Sequence, residues 1–156
     1  MKPEFPNTEA VLERYKQALV DSLEQKGIPS SSRLSQSAEV TKDVQPLKTI
    51  FEVVMNEYWF YIDQGRGPTM KGERPGKVKD FVRAWIRRNG IVAEERDGRT
   101  PTEDQLVFLI TRKIHREGFP GRDFVGPVND NFEDEIEKAT FDDIELNFNN
   151  FVKNIF

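Results

Sequence analysis

Residues 58–68 read Tyr58-Trp59-Phe60-Tyr61-Ile62-Asp63-Gln64-Gly65-Arg66-Gly67-Pro68, an aromatic run that breaks at once into a glycine-rich, cationic corner. No other stretch narrows the choice of fold as much. Successive side chains of a strand point to opposite faces, so Tyr58, Phe60 and Ile62 fall on one face and Trp59, Tyr61 and Asp63 on the other. Large apolar groups on both faces predict a strand near 58–63 that is covered on both sides. Gly65 and Gly67 reach backbone angles that other residues adopt only at a cost, while Pro68 fixes its own φ and steers Gly67 away from helix. The strand is expected to stop there, in a sharp positive corner.

Two more strands precede it. Alternation over 38–44 and a run rich in Ile, Phe and Val over 47–55 are joined by a short turn, and Asn56-Glu57 connects onward. Short connections between neighbouring strands imply a small antiparallel sheet.

Helices flank this sheet in the sequence. Over 8–26, Val11, Leu12, Tyr15, Ala18, Leu19 and Leu23 recur at helical spacing, with Asn7 or Thr8 as N-cap and Gly27 where a C′ glycine would end the helix. Pro29 to Ser37, poor in apolar residues and rich in hydroxyls, predicts a flexible loop or a short helical turn. Over 76–89, Pro75 suits the first helical position, and Val78, Phe81, Val82, Trp85 and Ile86 form an apolar stripe opposite Lys77, Lys79, Arg83, Arg87 and Arg88. Over 102–117, Thr102 and Gln105 fit a capping box and Gly118 a terminator. Beyond a second corner at 118–124, Phe132, Ile136 and Ala139 and then Ile144, Phe148, Phe151, Val152 and Ile155 predict one helix, or a pair broken near Thr140. The expected class is α+β, in one domain over 1–156, with 129–156 as a C-terminal extension that orders on assembly.

Length and composition fit that size: 156 residues support one real core, and twelve Phe and two Trp supply bulk for it. With no cysteine there are no disulfides, thiolate nucleophiles or cysteine zinc sites, as suits a reducing compartment. Met-Lys-Pro-Glu-Phe-Pro lacks the apolar core of a signal peptide, and no apolar run reaches the ~18 residues of a membrane span. A soluble chain made in the cytoplasm, without membrane partners, is the expectation.

The formal net charge of −4 offers nucleic acid no general attraction, but the charge is unevenly placed. Residues 65–100 carry ten basic and five acidic groups, whereas 128–156 carry eight acidic groups against Lys138 and Lys153. Opposite patches on one small subunit suit a head-to-tail ring contact; two solvated faces that never meet fit the same numbers.

Catalytic constellations are missing parts. His115 is the only histidine and lies among Arg112, Lys113 and Arg116, where an exposed helix position is expected. Glu94-Glu95 and Asp142-Asp143 are the acidic pairs a hydrolase or a cation site would need, though adjacent charges in polar stretches are usually solvated. The corner at 65–68 lacks the glycine frame and the Gly-Lys-Ser/Thr end of a phosphate-binding loop. No cofactor, metal or catalytic residue is expected.

The order of the pieces carries further information. A first helix, the Ser32-Arg33-Leu34-Ser35-Gln36-Ser37 turn and the aromatic run with its corner are followed by a helix with Trp85-Ile86 and Asn89-Gly90-Ile91. A helix with Arg112-Lys113-Ile114 and the corner Gly118-Phe119-Pro120-Gly121-Arg122-Asp123-Phe124 come next. Over roughly residues 8–140 this resembles the small tail-completion and neck proteins of tailed bacteriophages, with their aromatic Gly-Arg strand and Trp-Ile and Arg-Lys-Ile helices. The Phe-rich, acidic end over 140–156 has no place in that pattern. The resemblance implies a structural virion protein, not an enzyme, forming a ring in the head–tail connector or at the top of the tail. Its partners would be further copies of itself and portal, connector or tail-tube proteins, with DNA passing through unbound. It implies a subunit interface at Tyr58, Trp59, Tyr61, Asp63, Gly65, Arg66, Gly67, Pro68, Arg87 and Arg88, and a reach to a neighbour by the loop 69–76. An acidic channel or partner face would comprise Glu133, Asp134, Glu137, Asp142 and Asp143, since negative walls let phosphates slide. Two other readings stay open: a nucleic-acid-binding module using the basic face over 77–88 with Trp59 or Tyr61 for stacking, and a small hydrolase using an acidic pair.

Overall fold

The computed structural model describes residues 3–46, 48–73, 76–95 and 98–155. Their elements, in chain order, are α1 (Pro6–Gln25), α2 (Arg33–Gln36), β1 (Glu39–Gln45), β2 (Lys48–Val54), α3 (Trp59–Gln64), β3 (Gly65–Arg66), α4 (Val78–Arg88), α5 (Glu103–Glu117), β4 (Phe119–Pro120) and α6 (Gly126–Ile155). The fold is α+β, and it is organised as two compact units: one of residues 1–63 and 122–156, the other of residues 64–121 inserted between them.

In the first unit α1 and α6 run antiparallel along most of their length. Tyr15 sets its ring edge-on to Phe132, and its hydroxyl donates to Asn129; Ser22 donates to the Phe124 carbonyl at 2.9 Å. Leu19, Leu23, Leu34, Phe124 and Val128 form the core, joined by Val53, Met55, Trp59 and Ile62. The hairpin of β1 and β2 pairs Val40 with Val53 and Lys42 with Phe51. It leans on the start of α1, where Phe5 meets Phe51 edge-on and Lys42 bonds Glu9 at 2.6 Å.

The two strands near 38–44 and 47–55 are therefore present, although Leu47 lies outside the described residues. The third, near 58–63, is not a strand: those residues form α3. The burial pattern gives the reason. Trp59, Ile62 and Asp63 point inward and Tyr58, Phe60 and Tyr61 outward, a spacing of three and four rather than two. A short apolar run does not reveal its own period, and packing overrode the strand preference of its aromatics. Neither Asn7 nor Thr8 caps α1, which starts at Pro6 after Phe5 without a local side-chain cap. Gly27, with φ of +82°, does terminate it as expected. The serine-rich stretch forms the single turn α2, capped by the Ser32 hydroxyl. The C-terminal helix is unbroken at Thr140.

The second unit is a helix pair closed by a minimal ladder. Val82, Ile86 and Val107 form its core with Val78, Leu106, Ile110 and Ile114. The Thr102–Gln105 capping box starts α5, whereas Pro75 lies outside the described residues and α4 begins at Val78. Gly65 and Arg66 pair antiparallel with Pro120 and Phe119, giving the glycine corner two ladder residues.

Candidate assembly surfaces

Two buried aspartates bind the first unit together, and both belonged to sets expected at a surface. Asp63 is 4% exposed, and its Oδ1 accepts the amides of Phe124 and Val125 at 2.8 and 2.9 Å, just ahead of α6. Asp143 has no exposed area. Its Oδ2 accepts the amide of Thr8 at 2.7 Å, and its Oδ1 accepts the amide and side-chain nitrogen of Asn7 at 3.1 and 2.8 Å. Burial alone pushes the Asp143 carboxyl up, but the hydrogen bonds from Thr8 and Asn7 outweigh it and hold the group below its ordinary range. Asp143 thus caps the open N-terminus of α1 from 135 residues away in sequence.

The residues of the expected interface divide between the two units. Trp59 faces the core and Asp63 is buried, leaving Tyr58 exposed just ahead of α3 and Tyr61, with Phe60, on its outer face. Gly65 and Arg66 are engaged in the ladder, and Gly67, Pro68 and Arg88 are exposed. The Arg66 guanidinium donates to the Thr69 hydroxyl at 2.9 Å, and that oxygen lies 2.7 Å from His115 Nδ1. His115 is accordingly half-buried in a polar network, not the exposed residue its neighbours suggested. Thr69 and His115 sit at hydrogen-bond distance, but the hydroxyl is already held by Arg66 and, among the described residues, no carboxylate bonds the ring, so the pair lacks the third member of a nucleophile triad there.

The basic face of α4 is partly neutralised within its own unit. Arg83 bonds Asp104 at 2.7 Å and Glu103 at 3.3 Å, and Arg87 bonds Glu103 at 2.8 Å. The hydrogen bond from Arg87 lowers the Glu103 carboxyl, and that from Arg83 lowers Asp104. These acids occupy the first turn of α5, where negative charge also suits the helix dipole. Lys77, Lys79 and Arg88 remain on solvent. The expected acidic face keeps Glu133, Asp134, Glu137 and Asp142, all exposed, and loses Asp143 to the interior.

What the sequence reading missed is how apolar the outer helix faces are. Phe81 and Trp85 stand one turn apart on α4, and Phe108 and Leu109 on α5, beside Pro101, line a shallow hollow. Phe141, Ile144, Phe148 and Phe151 are each more than half exposed on α6. The signal was present in the spacing of the last set, but spacing does not say which of two faces meets the core. Among the described residues no group of three or more histidines or acids is placed to hold a metal ion, and no helix is long and apolar enough to cross a membrane. No protein-family model, curated protein or solved structure matches the chain.

Proposed function

We propose that this chain is a structural subunit whose work is assembly with other protein chains, and that its place is the neck of a tailed phage. There it would join a ring between portal or connector and tail, around the passage of the genome. The observation that supports this most is the rows of apolar side chains standing on solvent along α4, α5 and α6. Single exposed apolar residues are ordinary, but apolar pairs and a row of four, most of them aromatic, along helix faces are the raw material of interfaces. The neck assignment within that class follows the ordered resemblance in the sequence. In this reading the exposed acids on α6 discourage DNA from binding, and the pairing of Arg83 and Arg87 removes two cations that a nucleic-acid-binding module would use.

The test is the native mass of the purified chain, alone and mixed with the portal, connector and tail-tube proteins of the same genome. A ring-sized species, alone or on mixing, is expected. A chain that joins none of them and binds DNA with steep salt dependence would overturn the proposal in favour of the basic helix.

A further inference from the structure

Helices α4 and α6 each show solvent a narrow apolar stripe, and the charges that bracket the two stripes are opposite. On α4, Val82 and Ile86 take the core side, which leaves Phe81, Ala84 and Trp85 exposed between Lys77, at the N-cap, and Arg88, in the last turn. At about 100° per residue these five positions fall within about 100° of arc. On α6, Ala139 and Asp143 take the side that meets α1, and Glu137, Phe141, Ile144, Glu145 and Phe148, all exposed, fall within a similar arc. Glu133 and Asp134 extend its acidic end. Lys77, Arg88, Glu137 and Glu145 have no ion-pair partner among the described residues, whereas Arg83 and Arg87 are held by α5. Even the exceptions are opposite: Asp80, the one acid of α4, and Lys138 on α6 each lie at the edge of their stripe.

We infer that the α6 stripe of one copy of the chain seats on the α4 stripe of the next, head to tail. The inference rests on the reading of the chain as an assembly subunit and gives that subunit its contact. Charge selects this pairing. Setting α6 against α6 brings Glu137 and Glu145 up to the same acids of the other copy, and setting α4 against α4 does the same with Lys77 and Arg88, so both like pairs repel. Only α4 against α6 joins apolar groups with opposite charges at both ends. Those end charges are about 16 Å apart on α4 and about 12 Å apart on α6 at 1.5 Å per residue, a difference that the long Lys and Arg stems span. The units agree with the helices. Residues 64–121 carry thirteen basic and eight acidic groups, and residues 1–63 with 122–156 carry ten basic and nineteen acidic. The second unit of one copy is therefore drawn to the first unit of another and repelled by its own kind. Phe81 and Trp85, 66 and 47% exposed, offer roughly 200 Å² of ring surface, so a single contact is weak. A head-to-tail contact leaves each copy one free stripe of either kind, so copies add until the assembly closes and each contact is reinforced by the others.

Complementation between two variants of the full chain tests it, read by sedimentation equilibrium between about 1 and 500 µM. Trp85→Glu spoils the α4 stripe and Phe148→Glu the α6 stripe. The intact chain is expected to associate beyond the dimer, and each variant alone at least about tenfold more weakly. An equimolar mixture of the two variants retains one good stripe of each kind, so it should form a 1:1 dimer and stop there. Charge reversal guards against variants that merely misfold: Lys77→Glu with Arg88→Glu should weaken association, and adding Glu137→Lys with Glu145→Lys to the same chain should restore it. An intact chain that stays monomeric, variants that associate like the intact chain, or a mixture no different from either variant would overturn the inference. A ring that forms only with neck proteins, and equally well with Phe148→Glu, would sustain the neck reading and overturn this contact. Complementation in a chain that joins no neck protein would sustain the contact and overturn the neck reading.

Discussion

Asp143 Oδ2 accepts the Thr8 amide at 2.7 Å, so a carboxylate near the end of the chain closes a helix near its beginning. Removing it with Asp143→Ala leaves the buried Thr8 amide and the part-buried Asn7 amide without their acceptor, and the expected cost is about 1–3 kcal/mol of unfolding free energy. Urea titration checks this. The Asp143 carboxyl is lowered in the folded state, so its contribution is complete above the unfolded aspartate value of about 3.9 and fades as pH falls through the lower folded value. The stability difference between the intact chain and Asp143→Asn should therefore shrink only below about pH 4.

Helix α3 makes opposite demands on neighbouring aromatics. Trp59→Ala removes a ring packed on the core of the first unit, and about 2–4 kcal/mol should be lost. Phe60→Ala removes one that is 52% exposed and should cost less than about 1 kcal/mol. A strand at the same place would not put two core residues three apart, so Ile62→Ala should resemble Trp59→Ala. Thermal unfolding of the three variants decides it.

Gly118 sits at φ +69° and ψ −158°, a conformation essentially confined to glycine. A Cβ there would lie 2.0 Å from the Arg66 carbonyl oxygen and 2.8 Å from the Gly67 carbonyl carbon. Gly118→Ala should open the β3–β4 ladder and destabilise the second unit by more than about 3 kcal/mol, combining backbone strain with a backbone clash. Gly90→Ala, also at positive φ but with nothing within 4 Å, should cost only about 1 kcal/mol. Amide hydrogen exchange of residues 65, 66 and 119 reads out the difference directly.

Freeing the α4 arginines should strengthen binding to DNA. Glu103 and Asp104 hold Arg83 and Arg87. In the Glu103→Gln, Asp104→Asn double variant both guanidiniums become available to phosphate, and each new contact should steepen the salt dependence of binding by about 0.9 in log–log slope. Fluorescence anisotropy with a labelled duplex across a salt series measures it. An intact chain that already binds with a steep slope would remove internal pairing as the restraint.

Much of the helical content was legible because its signals are local. The apolar period of α1, the Gly27 terminator, the Thr102–Gln105 box and the β1–β2 hairpin each depend on residues a few positions apart, and all are where the sequence placed them. The aromatic run was misread for the same reason: five apolar residues satisfy a strand and a helix equally, and only the core made by Leu23, Leu34 and Phe124 determined that Trp59 and Ile62 should face the same way. Asp63 and Asp143 show the limit more sharply. In the sequence Asp63 closes an aromatic run and Asp143 follows another acid, and neither shows which amides its carboxylate will meet. Each is satisfied because the fold brings backbone amides from 61 and 135 residues away to its carboxylate, those ahead of α6 to Asp63 and those of the first turn of α1 to Asp143, and burial without those donors would be prohibitive. Likewise the α6 stripe was written in the spacing of Phe141, Ile144, Phe148 and Phe151. Which side of the helix would be left facing water was settled only when Ala139 and Asp143 took the side that meets α1.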